Sequence, residues 1–429
     1  MRTVKKPLSL LLAVLMVATL FAACGTTNTA TPPPATTAPA TAAPATTAPA
    51  TPAPATPNAT PINLKVWGPQ EEQTLLGQMV DDFKAQHPEN TYNITLGVVG
   101  EPDAYSTYST DPGAAADVFY FANDQLRDFV KAGGLYEITR NKDDISSRNL
   151  PGSVAAATLD GKLYGYPLTA DNGYFLYYDK SVLSATDVQS LDQIIKVCEA
   201  ANKKMFMDVS NGWYIASFFL GAGLNLSIGP DGRQVLDWNN ATGLAVGQAI
   251  WDFTGSKAFL TGDDSVLKGG IGGTIAAGVS GTWNAADIEA ALGDNYAATK
   301  LPTFTLNGQQ VQMGSFGGYK LIGINSQTKE PVAAMDLADF LSNEANQVKR
   351  FEARQLGPSN INAAGSDAVK ANVALAALAE QSQFAVSQND VLASFWTPAE
   401  AFGTAMESRD TSKTIQGFLD DMVAQIQAG

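Results

Sequence analysis

The chain has 429 residues, 42 acidic against 27 basic, for a net charge of −15 at pH 7, and 45% of its residues are hydrophobic. That length suits two lobes of ordinary size, and the acidic balance, with no Lys/Arg cluster interleaved with aromatics, argues against nucleic acid as a partner. Two cysteines give no disulfide framework, and the single histidine, His87, stands before Pro88 at the end of an amphipathic helix, a poor place for the base of a Ser-His-Asp triad or for a histidine metal site.

At the amino end, Arg2, Lys5 and Lys6 precede an apolar run from Leu8 to Ala23, the pattern of an export signal and too short for a membrane span. The run ends in Leu20-Phe21-Ala22-Ala23-Cys24-Gly25, which resembles the lipobox at which bacterial lipoproteins are cleaved and acylated. Residues 1–23 are therefore expected to be a lipoprotein signal peptide and Cys24 the site of lipidation. From Gly25 to Pro61 the chain is nearly all Thr, Pro and Ala, without charge or aromatic ring, so it has nothing to bury in a core. Residues 24–61 read as an extended tether, at roughly 3.1 Å per residue where polyproline II forms.

Beyond Pro61, strand and helix patterns alternate, which is an α/β reading. Ile62, Leu64 and Val66 alternate as in a strand, and Leu75, Leu76, Met79, Val80 and Phe83 then make one helical stripe over 71–86, stopped near Pro88. Tyr92, Ile94 and Leu96 alternate again. Residues 117–121 read as a short buried strand and 124–132 as a helix closed by Gly133-Gly134. Later come a strand over 175–178, helices near 190–202, 212–222, 240–254 and 284–292, and strands near 274–280 and 319–324; the last hundred residues turn helical. Ser190 and Gln193 form a capping-box pattern before Cys198, a free cysteine expected to be a small buried hydrophobe.

Candidate catalytic signals are weak. His87, before Pro88, reads as a solvated helix end. Lys268-Gly269-Gly270-Ile271-Gly272-Gly273-Thr274 matches neither phosphate-loop pattern and reads as a turn into a strand. Asp263-Asp264 and Asp231-Gly232 lack calcium-loop spacing and read as turn residues. No metal or cofactor is expected.

The aromatic pattern is more informative, because sugars present apolar C–H faces edged by hydroxyls and call for rings beside planar polar groups. Trp238 and Trp251 fall in helical surroundings and read as packing residues. Ser210-Asn211-Gly212-Trp213, Ser280-Gly281-Thr282-Trp283-Asn284 and Ser394-Phe395-Trp396-Thr397-Pro398 instead set Trp beside turn residues at element boundaries, where ligand residues concentrate.

From Ile62 onward the chain resembles the maltose/maltodextrin-binding proteins among the bacterial extracellular solute-binding proteins, family 1. The segments that carry the resemblance, in order, are Lys65-Val66-Trp67-Gly68, Asp117-Val118-Phe119-Tyr120-Phe121-Ala122-Asn123-Asp124, Gly134-Leu135-Tyr136-Glu137-Ile138, Asp160-Gly161-Lys162-Leu163-Tyr164-Gly165-Tyr166-Pro167, Tyr177-Tyr178-Asp179-Lys180, Gly281-Thr282-Trp283, Leu301-Pro302-Thr303-Phe304 and Ser394-Phe395-Trp396. The resemblance implies a periplasmic-binding-protein-like α/β fold: two lobes, 62–170 plus 322–360 and 174–316 plus 366–429, joined by a hinge of three crossings near 169–174, 316–321 and 357–367, with ligand in the cleft between them. It implies stacking on Trp213, Trp283 and Trp396, with Phe121 where the family more often has Trp, and polar contacts from Asp124, from Asp171 or Asn172 at the hinge, from Asn211, and from Glu71 near the first strand. It further implies a monomeric, non-enzymatic receptor on the outer face of a cell membrane, of Gram-positive type. The receptor would take malto-oligosaccharides and hand them to the transmembrane subunits of an ABC importer. Receptors for another oligosaccharide and glycan-active enzymes are the alternatives, the latter because a glycosidase needs only two placed carboxylates.

Overall fold

The computed structural model describes residues 60–429; the expected signal peptide, Cys24 and nearly all of the tether lie outside the described residues. Leu64 and Val66 turn inward from the strand Ile62–Gly68 while Asn63 and Lys65 face out, the period-2 pattern of a pleated strand. This strand pairs in parallel with Tyr92–Val98 on one side and with Val118–Ala122 on the other. Ser315–Ile324 runs antiparallel to Val118–Ala122, and Ala385–Ser387 closes the far edge in parallel. The expected helix over 71–86 is present as Gln73–Gln86, preceded by a 3-10 turn Gln70–Glu72, and it buries Leu76, Met79, Val80 and Phe83. Burial of each such side chain contributes about 1.5–3 kcal/mol.

A second sheet has the order Phe259–Leu260, Lys204–Phe206, Ile275–Ser280, Phe175–Asp179, Tyr296–Thr299, with the last two strands antiparallel to each other. Its main core includes Phe218, Phe219 and Trp238; the Trp238 ring lies 4.4 Å from Phe219 and within 1° of parallel, the packing role expected for it. Trp251 packs against the same core, partly buried, with the Arg409 guanidinium over its ring at 4.2 Å from the centroid. Cys198 is fully buried and free, and desolvation pushes its thiol up to about 11.

The two sheets are joined by strands that belong to both bodies. Tyr166–Gly173 pairs antiparallel with Ser315–Ile324; Leu168, Leu321 and Ile322 fall in the first core and Phe316 in the second, joined there by Tyr174, the residue after Gly173. A third connection follows the helix Glu344–Arg354; Gly357 donates from its backbone to Asp171, and Ala374 and Ala377 enter a core on the second sheet.

Two local expectations are corrected. Ser190 begins the helix Leu191–Ala200 but makes no side-chain cap, and Gln193 donates to Asp187 at 2.9 Å instead of closing a box. Asp263 is a helix cap for Asp264–Gly270, accepting from the Ser265 and Val266 amides, where the sequence suggested only a turn.

The first lobe also buries a charge pair. The Arg350 Nε–H donates to Glu72 Oε1 at 2.6 Å, and its other N–H groups reach the Leu341 carbonyl and the Tyr120 hydroxyl, with Glu72 and Arg350 each 1% exposed. Removing one partner of such a pair strands the other in a low dielectric. Arg350→Ala is therefore expected to lower unfolding stability by about 3–5 kcal/mol in urea titration, and the Glu72→Leu/Arg350→Met pair to recover much of that loss.

Candidate ligand-binding cleft

The crossing strands place their side chains by alternation, so Asp171 and Asn172 point to opposite faces. Asp171 Oδ2 accepts from Thr282 Oγ1 and from the Gly357 amide, both at 2.6 Å, while Oδ1 is buried without a partner among the described residues. It thus ties a crossing strand to the second lobe and to the third connection. Asn172 turns the other way, and its Nδ2 donates to Gln388 Oε1 at 3.1 Å. The sequence left the hinge position open between these two; only Asn172 joins the cluster described next. A cavity of about 280 Å3, lined in part by Asp171, Asn172, Gly173, Leu378 and Ser382, lies beside the crossing strands toward the helix Val373–Gln381, and none of the three candidate tryptophans lines it.

Gln388, 4% exposed on the turn after Ala385–Ser387, joins groups from both lobes. Its Oε1 also accepts from the Trp213 indole N–H at 3.2 Å, and its Nε2 donates to Asp124 Oδ1 at 2.9 Å. Asp124 sits on the 3-10 turn Asn123–Gln125 that precedes the helix Leu126–Lys131, the place read from sequence as a helix start. Desolvation between the lobes raises its carboxyl from the ordinary range to about 7, against the lowering effects of backbone hydrogen bonding and the Gln388 and Trp396 side chains. Asn123 braces the same corner: its Oδ1 accepts from the Tyr319 amide at 2.7 Å and its Nδ2 donates to Asn389. Gly318 lets the strand approach, since a Cβ there would meet Asn123 Oδ1 at 2.6 Å and Gln388 Oε1 at 2.9 Å.

The second lobe supplies the rings. Asn211 caps the helix Gly212–Gly221 by accepting from the Trp213 amide at 2.9 Å, which fixes the first turn that carries Trp213. Trp213 lies 5.7 Å from Trp283 at 42° and 4.5 Å from Tyr174, edge to face. The Trp283 indole N–H donates to Asp264 Oδ2 at 2.9 Å, and the Lys320 ammonium stands 5.3 Å from the Trp283 ring and 3.5 Å from Glu101 Oε1. Trp396 opens the helix Trp396–Glu407, braced by Phe316 at 5.8 Å and Phe395 at 5.1 Å. All three tryptophans are partly buried, with area left to offer a ligand.

Two expected contacts do not join this group. Phe121 is corrected to a core residue: it is 0% exposed, 5.3 Å from Phe129 and 6.1 Å from Phe119, because its strand is buried on both faces. Glu71 is exposed on the turn after the first strand, and its neighbour Glu72 is the buried carboxylate. Sequence reasoning missed Gln388, Lys320, Glu101 and Asp264. Lys320 carried a signal, a lone charge at the head of the apolar run Leu321-Ile322-Gly323-Ile324; Gln388, in an irregular polar stretch, carried none.

The profile of the bacterial extracellular solute-binding protein family matches residues 78–377. The galactooligosaccharide-binding protein of Bacillus subtilis strain 168 is 26% identical over 389 residues, covering 85% of this chain and 89% of that protein. A structure solved with acarbose is 30% identical with a TM-score of 0.77, covering 86% of this chain and 99% of its own. The maltodextrin-binding protein MalE1 from L. casei BL23, solved without ligand, is 26% identical with a TM-score of 0.70 and the same coverages. At 18% identity, the maltose/maltodextrin-binding domain MalE from Bdellovibrio bacteriovorus, with a TM-score of 0.74, covers 86% of this chain and 99% of its own and shares the fold. With two α/β bodies joined by crossing strands and a family match over most of its length, the chain belongs to the bacterial extracellular solute-binding proteins.

Proposed function

We propose that the chain is the extracytoplasmic receptor of a carbohydrate ABC importer. It binds malto-oligosaccharides between the lobes 62–170 plus 322–360 and 174–316 plus 366–429, and presents them to the transmembrane permease subunits. In this reading Cys24 carries the lipid that holds the receptor at the outer face of a Gram-positive cell membrane. No described helix is long and apolar enough to cross a membrane. The receptor acts as a monomer, needs no cofactor and returns the sugar unaltered.

The observation that carries this reading is the meeting of Trp213, Trp283 and Trp396 with Asp124, Asn172 and Gln388 at the joint between the lobes. Rings of this kind stack on the C–H faces of successive sugars, while carboxylate and carboxamide groups take the hydroxyl edges. Because the rings and Asp124 sit on different lobes, a ligand touching both has its highest affinity when the lobes are together, and that difference shifts the population toward closure. The maltodextrin-binding and acarbose-bound likenesses support the α-glucan class. The galactooligosaccharide-binding relative supports a second reading in which the same cleft takes galactosides.

Calorimetric titration with maltose, maltotriose, maltotetraose, acarbose and galacto-oligosaccharides, with a parallel assay for new reducing ends, separates these readings. Saturable binding of the α-glucans without cleavage is expected. Binding of galactosides alone would move the substrate class, and cleavage would overturn the receptor reading. Each of Trp213→Ala, Trp283→Ala and Trp396→Ala should weaken maltotriose binding by about 2 kcal/mol, roughly 30-fold.

Asp124 generates a pH prediction. Its carboxyl is raised to about 7 where the lobes meet, and an opened cleft would return it toward its ordinary value near 3.8. The state with the higher pKa holds the proton more tightly, so protonation favours closure. Closure of the ligand-free chain is thus favoured at pH 4–5 and loses that advantage as pH rises through 7. Asp128, the acidic neighbour on the adjoining helix, adds to the upward shift. Small-angle scattering should give a smaller radius of gyration at pH 5 than at pH 8, and Asp124→Asn should flatten the difference.

A further inference from the structure

The Gln388 carboxamide touches three groups that come from three separate parts of the fold. Its oxygen accepts from Asn172 on the crossing strand and from Trp213 on the second lobe; its nitrogen donates to Asp124 on the first lobe. A carboxamide meets these demands with one orientation only, because a carboxylate needs the N–H end and two N–H donors need the oxygen end. Gln388 and Asn172 are buried and Asp124 and Trp213 partly so, and breaking a contact leaves the buried Gln388 carboxamide short of a partner.

We propose that Gln388 is the positioning residue that couples the lobes. Its single carboxamide aligns Asp124, Asn172 and Trp213 together only when the lobes have approached, so that closure and the assembly of the ligand-facing groups are one event. This rests on the reading of the cleft as the binding site. The surroundings fit the role. Gln388 sits on the turn that follows Ala385–Ser387, the edge strand paired to the long crossing strand at Ser315–Gly317, so its backbone is anchored to the joint itself. Asn389 beside it accepts from Asn123 of the first lobe, and Gln234 of the second lobe accepts from the Leu392 amide at 2.7 Å and donates to the Asp390 carbonyl at 3.1 Å. The turn from Gln388 to Leu392 is therefore stitched to both lobes, with the Gln388 side chain at the meeting of the ligand-facing groups. Gly318 completes the fit, since any Cβ there would push into Asn123, Gln388 and Asn172 at once.

Three variants test this in the purified full chain: Gln388→Ala, Gln388→Glu and the exchange Asp124→Asn/Gln388→Glu. The first two should expand the ligand-free chain in small-angle scattering and weaken its best-bound oligosaccharide about tenfold, with little change in Tm. The Gln388→Glu variant keeps an acceptor for Trp213 and Asn172 but sets a carboxylate against Asp124. The exchange restores a donor–acceptor pair of reversed polarity, and it should return the ligand-free chain to wild-type compaction, a rescue that a merely space-filling role would not produce. Unchanged compaction in Gln388→Ala, or an exchange variant that stays expanded at wild-type Tm, would overturn the proposal. If the wild-type chain binds none of the sugars, the malto-oligosaccharide reading fails by itself, and the compaction measurements still decide whether Gln388 couples the lobes.

Discussion

One strand serving two cores is the constraint on which the remaining architecture depends. Ser315–Ile324 delivers Leu321, Ile322 and Ile324 to the first core and Phe316 to the second, and from Gly317 to Ile322 it pairs with Tyr166–Gly173, which gives Tyr166 and Leu168 to the first core and leads directly into Tyr174 of the second. The ladder between them, irregular between Gly318 and Leu321, resists shear, so the freedom left to the lobes is bending and twisting at the few residues between the cores. Those residues include Asp171, Asn172 and Gly318, which is why the polar chemistry of the cleft gathers there.

The joint is polar and partly buried. Asp171 ties a crossing strand to Thr282 and Gly357, Asn123 ties the first lobe to Tyr319 and Asn389, and Gln388 ties Asp124 to Trp213. An apolar joint would hold the lobes together in any of several packings. A hydrogen-bonded one penalises every arrangement that leaves a donor or acceptor stranded, so it favours one closed geometry. The cost of desolvation is visible in Asp124, whose carboxyl rises to about 7 because burial outweighs its hydrogen bonds. By contrast, the Glu72–Arg350 pair is spent inside one lobe, where it stabilises the body that carries the cleft without taking part in it.

Much of the fold was legible before any coordinates. The strand at 62, the helix over 71–86, the helices near 191, 212, 241 and 285 and the strands near 275 and 319 follow from periodicity, because each buries one face against a sheet and must repeat accordingly. The tryptophans at element boundaries were legible too, since a large ring beside turn residues has no stripe to join. Phe121 misled for the opposite reason: its position in a familiar motif suggested an open face, but a strand covered on both sides leaves every side chain in the core. Asp264 looked like half of a turn and is a partner of the Trp283 indole, while its neighbour Asp263 is the cap.

Composition and local pattern by themselves determined the α/β class, the positions of most regular elements and which tryptophans stand at element boundaries, because these depend on spacing along the chain. Only the tertiary structure decided that Asn172 reaches Gln388 while Asp171 ties Thr282 and Gly357, that Glu101 meets Lys320, and that Gln388 stands between Asp124 and Trp213. Those outcomes turn on strand register and on contacts between residues up to 264 positions apart, as with Gln388 and Asp124. A one-residue change of register would exchange the two faces of a strand while leaving the sequence pattern of its neighbours untouched.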